Sequence, residues 1–280
     1  MSLLPRLPLA DGIDAFVDWL KGIDGLFDVP KEFIGFTVTH LSNGLSAIPA
    51  WLFILLLTGL AFFATKKKFG LPAFVFFGFM LIENLGYWSD MMLTLSLVLT
   101  SAGISVILGI PFGIWMAKNK TVESIITPIL DFMQTMPAFV YLIPAVVFFG
   151  IGMVPGVIAS VIFAMPPTVR LTNLGIRQVS TELIEASDAF GSTPFQKLFK
   201  VQLPMAKKTI MAGVNQSIML ALSMVVIASM IGASGLGTKV YYAVGRNDAG
   251  GGFEAGIALV ILAIILDRLT QSFNRQKGVA

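Results

Sequence analysis

The sequence predicts an all-α integral membrane protein with about seven transmembrane helices and an amphipathic helix at its N-terminus. Three observations carry that expectation. The chain is 56% hydrophobic and 12% charged, with mean hydropathy +0.84, whereas soluble domains average about 25% charged residues. Apolar stretches approaching the length needed to cross about 30 Å of hydrocarbon recur along it. Basic residues gather between these stretches rather than inside them. A net charge of +3 spread over so apolar a chain does not point to nucleic acid. The absence of cysteine excludes a disulfide, a thiolate nucleophile and a cysteine-metal site.

Residues 1–47 open the chain without a basic region leading into an apolar core, so no cleavable signal peptide is expected. Ile13, Phe16, Val17, Leu20, Ile23 and Phe27 recur at helical spacing, with Asp14, Asp18 and Asp24 largely off that stripe. This pattern predicts an extracytoplasmic amphipathic helix lying at the membrane interface. A helix that binds a soluble partner is the alternative reading.

Seven spans follow, near 48–65, 70–87, 91–117, 136–152, 153–171, 208–231 and 251–270. The first two, within 48–90, are read as peripheral. The second loses its apolar character after Ile82, and Tyr87-Trp88 read as an interfacial anchor. The third is the longest apolar run. Pro144 interrupts the fourth and Pro166-Pro167 the fifth; such breaks are tolerated where neighbouring helices or a wet cavity satisfy the freed backbone groups.

Charge placement supports an odd number of spans. With 172–207 in the cytoplasm, Lys66, Lys67, Lys68, Lys118, Lys120, Arg170, Arg177, Lys197, Lys200, Lys207, Lys208, Arg268, Arg275 and Lys277 lie inside. Of the 19 basic residues, only Arg6, Lys21, Lys31, Lys239 and Arg246 then lie outside. The expected orientation is N-terminus out and C-terminus in.

Ser101, Ser105, Gly109 and Gly113 recur every four residues, as do Gly156, Ser160 and Ala164. Such stripes let membrane helices approach closely, so these are helix-packing residues. In the sixth span Asn215, Met219 and Ser223 share a face, with Gln216 and Ser217 beside it. They form either interhelical hydrogen bonds or the wall of a translocation path.

No charged residue falls in the middle of a predicted span, which argues against an ion-coupled secondary transporter. The single histidine, His40, cannot make a metal site alone. The sequence has neither the H-E-x-x-H of a metalloprotease nor the G-x-S-x-G of an esterase. It also lacks G-x-x-x-x-G-K-[ST], so it has no P-loop for ATP. No catalytic residue and no cofactor are expected in this chain.

The polar gap between spans five and six carries the most specific signal. Glu185-Ala186-Ser187 is followed after three residues by Gly191, and after nine more by Val201, one residue, and Leu203-Pro204. This arrangement resembles the EAA motif of permease subunits of bacterial ATP-binding-cassette (ABC) importers, with Ser187 in place of the second alanine. A passive osmotic channel would leave the motif unexplained.

Longer segments strengthen the resemblance: TPILDFMQTMPAFVYLIPAVVFFGIG, VIASVIFAMPPTVRLTNLGIRQV, NQSIMLALSMVVIASMIGASGLG and FEAGIALVILAIILDR. Over most of 88–272 the chain is similar to permeases of glycine betaine and proline betaine importers. The resemblance implies a type I permease core at 91–271, a cytoplasmic coupling segment at 180–205 and a cytoplasmic tail at 272–280. It implies a bacterial plasma-membrane location. It also implies a second permease chain forming a homodimer, two cytoplasmic ATPase subunits that hold ATP and magnesium, and a separate extracellular substrate-binding protein. Choline, carnitine, proline and ectoine are the alternative solutes. Glu185, Ala186, Ser187, Gly191, Leu203 and Pro204 are the implied ATPase-coupling residues. Gly191 is expected to turn the chain between two short helices, and Pro204 to begin the helix that becomes the sixth span.

Overall fold

The structure, a computed structural model, describes residues 8–23, 25–65 and 68–275. Arg6, Asp24, Lys66, Lys67 and Lys277, and with them much of the expected tail, lie outside the described residues. Regular structure among the described residues is entirely helical.

The N-terminal stripe does not form one helix. It divides into α1 (Leu9–Lys21) and α2 (Asp28–Ala47), separated by a turn in which Gly25 has φ +77°. Helix α1 buries none of its residues, whereas α2 buries Ile34, Val38 and Ser42. Phe27, expected on the α1 stripe, instead stacks on Phe148 with ring centroids 4.5 Å apart. Helical periodicity in the sequence continued across this turn, and only the structure separates the two helices.

Helices α3 (Ala50–Ala64) and α4 (Gly70–Asn84) correspond to the first two expected spans, at 15 residues each. That length is about 22 Å of helix, short of the hydrocarbon thickness. Helix α3 reaches the length of a span only together with α2, from which it bends by 98°.

Helix α5 (Trp88–Lys118) is the long third span. Ser96, Thr100, Ser101 and Ser105 each donate to the carbonyl four residues back, at 2.7–2.8 Å. Their hydroxyls are therefore satisfied within the helix and cost little to bury.

The fourth span differs from expectation. Amphipathic α6 (Lys120–Thr135), a 3₁₀ turn (Ala138–Tyr141) and eight-residue α7 (Leu142–Phe149) occupy this region. Alone, α7 is only about 12 Å long. Helices α6 and α7 are together long enough to cross a membrane, but they are bent by 108° at the 3₁₀ turn between them.

Helix α8 (Met153–Arg177) is the centre of the bundle, packing most extensively against α5 and α11 (Leu203–Ala228). Between them lie α9 (Thr181–Ala189), α10 (Pro194–Lys197) and a π turn (Leu198–Gln202). A 3₁₀ turn at Ser229–Ile231, α12 (Leu236–Arg246) and α13 (Ala249–Arg275) complete the chain.

The small-residue stripes lie at these contacts. Ser101, Ser105, Gly109 and Gly113 are all buried, and Ser105 Oγ also reaches Val161 O on α8 at 3.4 Å. A Cβ on Gly109 would lie 2.9 Å from Thr168 Cγ2; one on Gly113 would lie 2.6 Å from Val169 O. Gly213 brings α11 equally close to α8, with an added Cβ 3.0 Å from Pro167 O. Ser217 Oγ donates to Ala164 O at 2.5 Å and lies 2.7 Å from Thr168 Oγ1. This places a polar clasp beside Pro166-Pro167, where the helix lacks two of its own donors.

Candidate functional site

The segment expected to couple to an ATPase forms a short helical hairpin at the end of the α8–α11 pair. Gly191 makes the reversal with φ +72°, and a Cβ there would meet nothing within 4 Å. Three backbone bonds close the turn: Phe190 N to Ala186 O at 3.1 Å, Gly191 N to Asp188 O at 2.9 Å, and Ser192 N to Ser187 O at 3.0 Å. Lys197 forms an ion pair with Asp188 across the hairpin. Thr193 and Gln196 make a reciprocal capping box, and Pro194 fills the first turn where its missing N–H costs nothing.

The motif residues divide by exposure. Glu185, Ala186, Gly191 and Pro204 face outward, while Ser187 is buried and donates to Ile184 O at 2.7 Å. Leu203 is half-buried against the cluster of Ile176, Ala206 and Ile210. Ser187 and Leu203 thus hold the hairpin on the bundle, leaving the other four on its surface. Beneath α9 lies a cavity of about 280 Å³ whose lining includes Ala117, Ile176, Arg177, Thr181, Glu185 and Gln202.

Pro204 stands in the first turn of α11, where it was expected, but the chain does not leave the helix before it: helical structure runs without a break over Pro194–Ile231. Proline has no N–H for the carbonyl of Lys200, and the turn just before it widens, with Leu203 N donating to Leu198 O. The widened turn accommodates the proline without ending the helix.

Sequence reasoning missed the aromatic surface of this hairpin. Phe190, Phe195 and Phe199 are 91%, 69% and 50% exposed, and the last two rings lie 4.4 Å apart. Three phenylalanines within ten residues of an otherwise polar segment were the available signal. An exposed apolar group rimmed by Lys197, Lys200 and Asp188 has the character of a protein contact surface.

Two ion pairs also went unread. Arg170 pairs with Asp131, and Arg177 pairs with Glu123 at 2.5 Å, fastening α6 to α8. Asn119 caps α6 by accepting from Thr121 N at 2.9 Å.

The polar residues of α11 separate. Asn215 donates to Asp267 Oδ1 on α13 at 2.8 Å, and Gln271 donates to the same oxygen at 2.7 Å. Met219 is half-buried, whereas Gln216 and Ser223 are exposed. Ser223 Oγ donates back to Met219 O at 3.1 Å. Among the described residues no group of three or more histidine, cysteine, aspartate or glutamate side chains could hold a metal ion.

Residues 109–278 match the family described as binding-protein-dependent transport system inner membrane component. The chain is 66% identical over 278 residues to the glycine betaine/carnitine transport permease protein GbuB of Listeria monocytogenes, covering 99% of each. It is 57% identical to the glycine betaine transport system permease protein OpuAB of Bacillus subtilis, over 99% of this chain and 98% of that one. Its fold resembles a chain of the MetNI methionine ABC transporter in an inward-facing conformation, with TM-score 0.62 and 22% identity, over 71% of this chain and 96% of the other. Four long apolar helices, an exposed hairpin at the end of two of them, and a match covering more than half of its length lead to one assignment: the chain belongs to the binding-protein-dependent transport system inner membrane component family and is a multi-pass membrane permease.

Proposed function

We propose that this permease translocates glycine betaine, proline betaine or a related quaternary-ammonium osmoprotectant in an ATP-driven importer. The observation that carries the reading is the exposed hairpin around Gly191. It lies in a chain that shares 66% of its sequence with a glycine betaine/carnitine permease. Two copies of the chain enclose the path, two cytoplasmic ATPase subunits hold ATP and magnesium, and an extracellular binding protein delivers the solute. Glu185, Ala186, Gly191 and Pro204 meet the ATPase, with Ser187 and Leu203 holding their platform in place. ATP changes the conformation through its different affinity for the inward- and outward-facing states, not through chemistry in this chain.

Gln216 and Ser223, on the exposed face of α11, are the side chains of the sixth span placed to line the path; Met219 borders them. Asn215 supports that wall through Asp267. Specificity resides mainly in the binding protein, where an aromatic cage attracts the trimethylammonium group. Reconstituted with its ATPase and binding protein, the permease should take up radiolabelled glycine betaine only with ATP. Excess proline betaine or carnitine should suppress uptake, while a neutral sugar should not. Competition by the sugar without competition by the betaines overturns the solute assignment.

The orientation is N-terminus outside and C-terminus in the cytoplasm of a bacterial cell, with α4 crossing a locally thinned or well-anchored bilayer as one of seven spans. Tyr242 on α12 and Lys120 at the start of α6 are both exposed. The native chain contains no cysteine. In intact cells an impermeant thiol reagent should label Tyr242→Cys and spare Lys120→Cys until the membrane is opened. The reverse pattern sinks the orientation.

A further inference from the structure

We propose that Lys118 and Gln202 form a positioning latch that makes α5 move with the coupling hairpin; this rests on the coupling reading above. Lys118 is the last residue of α5, and Gln202 the last residue of the π turn. Although 84 positions apart, they meet directly: Lys118 Nζ donates to Gln202 Oε1 at 2.6 Å. A charged donor at that distance makes a strong hydrogen bond.

The π turn gives the pair its setting. A helix with Pro204 in its interior would ordinarily kink, because the carbonyl four residues earlier loses its donor. Here Leu203 N instead reaches five residues back to Leu198 O. The extra residue in this turn shifts the register of everything upstream relative to α11. A π turn is rare, and inside α-helices it occurs frequently at functional sites. In this protein it ends on Gln202.

Other contacts show why one bond here matters. The hairpin is tied to itself by Lys197 with Asp188, and continues covalently into α11. The α8 side is reached through Leu203 packed against Ile176. Among the described residues, Gln202 with Lys118 is the direct side-chain hydrogen bond from the π turn to α5. Helix α5 is in turn locked against α8 along Ser105, Gly109 and Gly113. A displacement of the hairpin reaches α11 along the chain, and reaches α5 both through this latch and through the apolar cluster on which Leu198 and Leu203 meet Ile110, Ile114 and Ala117, so that α5, α8 and α11 shift as one body.

The test measures solute moved per ATP hydrolysed in proteoliposomes containing the whole complex. Both side chains are at least partly exposed at the helix ends, so their replacement leaves the bundle core intact. Lys118→Met and Gln202→Leu should each lower the ratio roughly fivefold, the equilibrium factor for one net hydrogen bond. ATPase association should be unchanged. Gln202→Glu, which keeps an acceptor, should retain the wild-type ratio. The reciprocal swap of Lys118→Gln with Gln202→Lys restores a donor and an acceptor and should recover the ratio lost in the single variants.

A purely structural role lowers uptake and hydrolysis together and leaves their ratio unchanged; that result overturns the latch. So does a swap no better than either single variant. Neither result touches the coupling assignment, which stands or falls on Gly191.

Discussion

Gly191→Val should leave the permease in the membrane but remove most ATP-driven uptake. Gly191 has φ +72°, a conformation in which a β-branched side chain is strained by about 1–3 kcal/mol. No atom of this chain lies within 4 Å of the position a Cβ would take. The damage therefore comes from backbone strain in the hairpin and from intrusion into the space needed by the ATPase, not from a clash inside the permease. Either effect should tilt the exposed patch of Phe190, Phe195 and Phe199 away from the proposed ATPase contact.

Measured uptake should fall at least tenfold, since about 1.4 kcal/mol lost from the coupling contact is already a factor of ten. Solute affinity of the binding protein should be unaffected. Glu185→Ala removes one exposed polar contact, worth about 1 kcal/mol, and should be milder. Gly191→Asn separates the two causes, because asparagine tolerates the left-handed region. Recovery with asparagine assigns the loss to strain; continued loss assigns it to close approach of the ATPase. Full transport by Gly191→Val at normal expression would remove this hairpin as the coupling element.

The second large effect is at Gly113, where even one methyl group does not fit. A Cβ there would lie 2.5 Å from Thr172 Cβ and 2.6 Å from Val169 O. The obstruction includes backbone, which no rotamer change moves, so α5 and α8 must separate. Overpacking of this kind costs about 1–3 kcal/mol, and more when two helices must separate along a close seam. At about 2–4 °C per kcal/mol for a domain of this size, a 3 kcal/mol loss lowers the melting temperature in detergent by about 6–12 °C.

Gly103→Ala on the same helix is the control. Nothing lies within 4 Å of its Cβ, and exchanging glycine for alanine in a helix stabilises by roughly 0.5–1 kcal/mol. Gly113→Ala should lose stability while Gly103→Ala keeps or gains it. Equal melting temperatures for the two would mean that the α5–α8 seam is looser than its geometry requires.

The two glycines were legible in the sequence for different reasons. Gly113 belongs to a stripe with a four-residue period, and a helix converts such a period into one face. Gly191 belongs to a motif of fixed spacing, and its positive φ agrees with the turn expected there. By contrast, α6 was passed over because its apolar residues alternate with polar ones. Ile125, Ile129 and Phe132 remain exposed while Leu130 is buried, so the average hydropathy is too low to read as a span. The N-terminal stripe misled in the opposite way, since helical spacing persisted through the turn that separates α1 from α2.

The sequence by itself determined the membrane class, the approximate positions of most apolar helices, the close-packing faces of α5 and α8, and the hairpin between α9 and α10. All of these are local properties. In hydrocarbon each helix must satisfy its own backbone, so apolar length and periodicity over a few turns suffice to read the helices and their close-packing faces; the hairpin was legible through the fixed spacing of its motif and the family resemblance. Only the tertiary structure decided that Asn215 supports α13 rather than facing outward, that Arg170 pairs with Asp131, and that Lys118 meets Gln202. Those partners are 52, 39 and 84 residues apart. A side chain whose role depends on a distant partner leaves no periodic trace in the chain, because its direction is set by the packing of other helices and not by its neighbours in sequence.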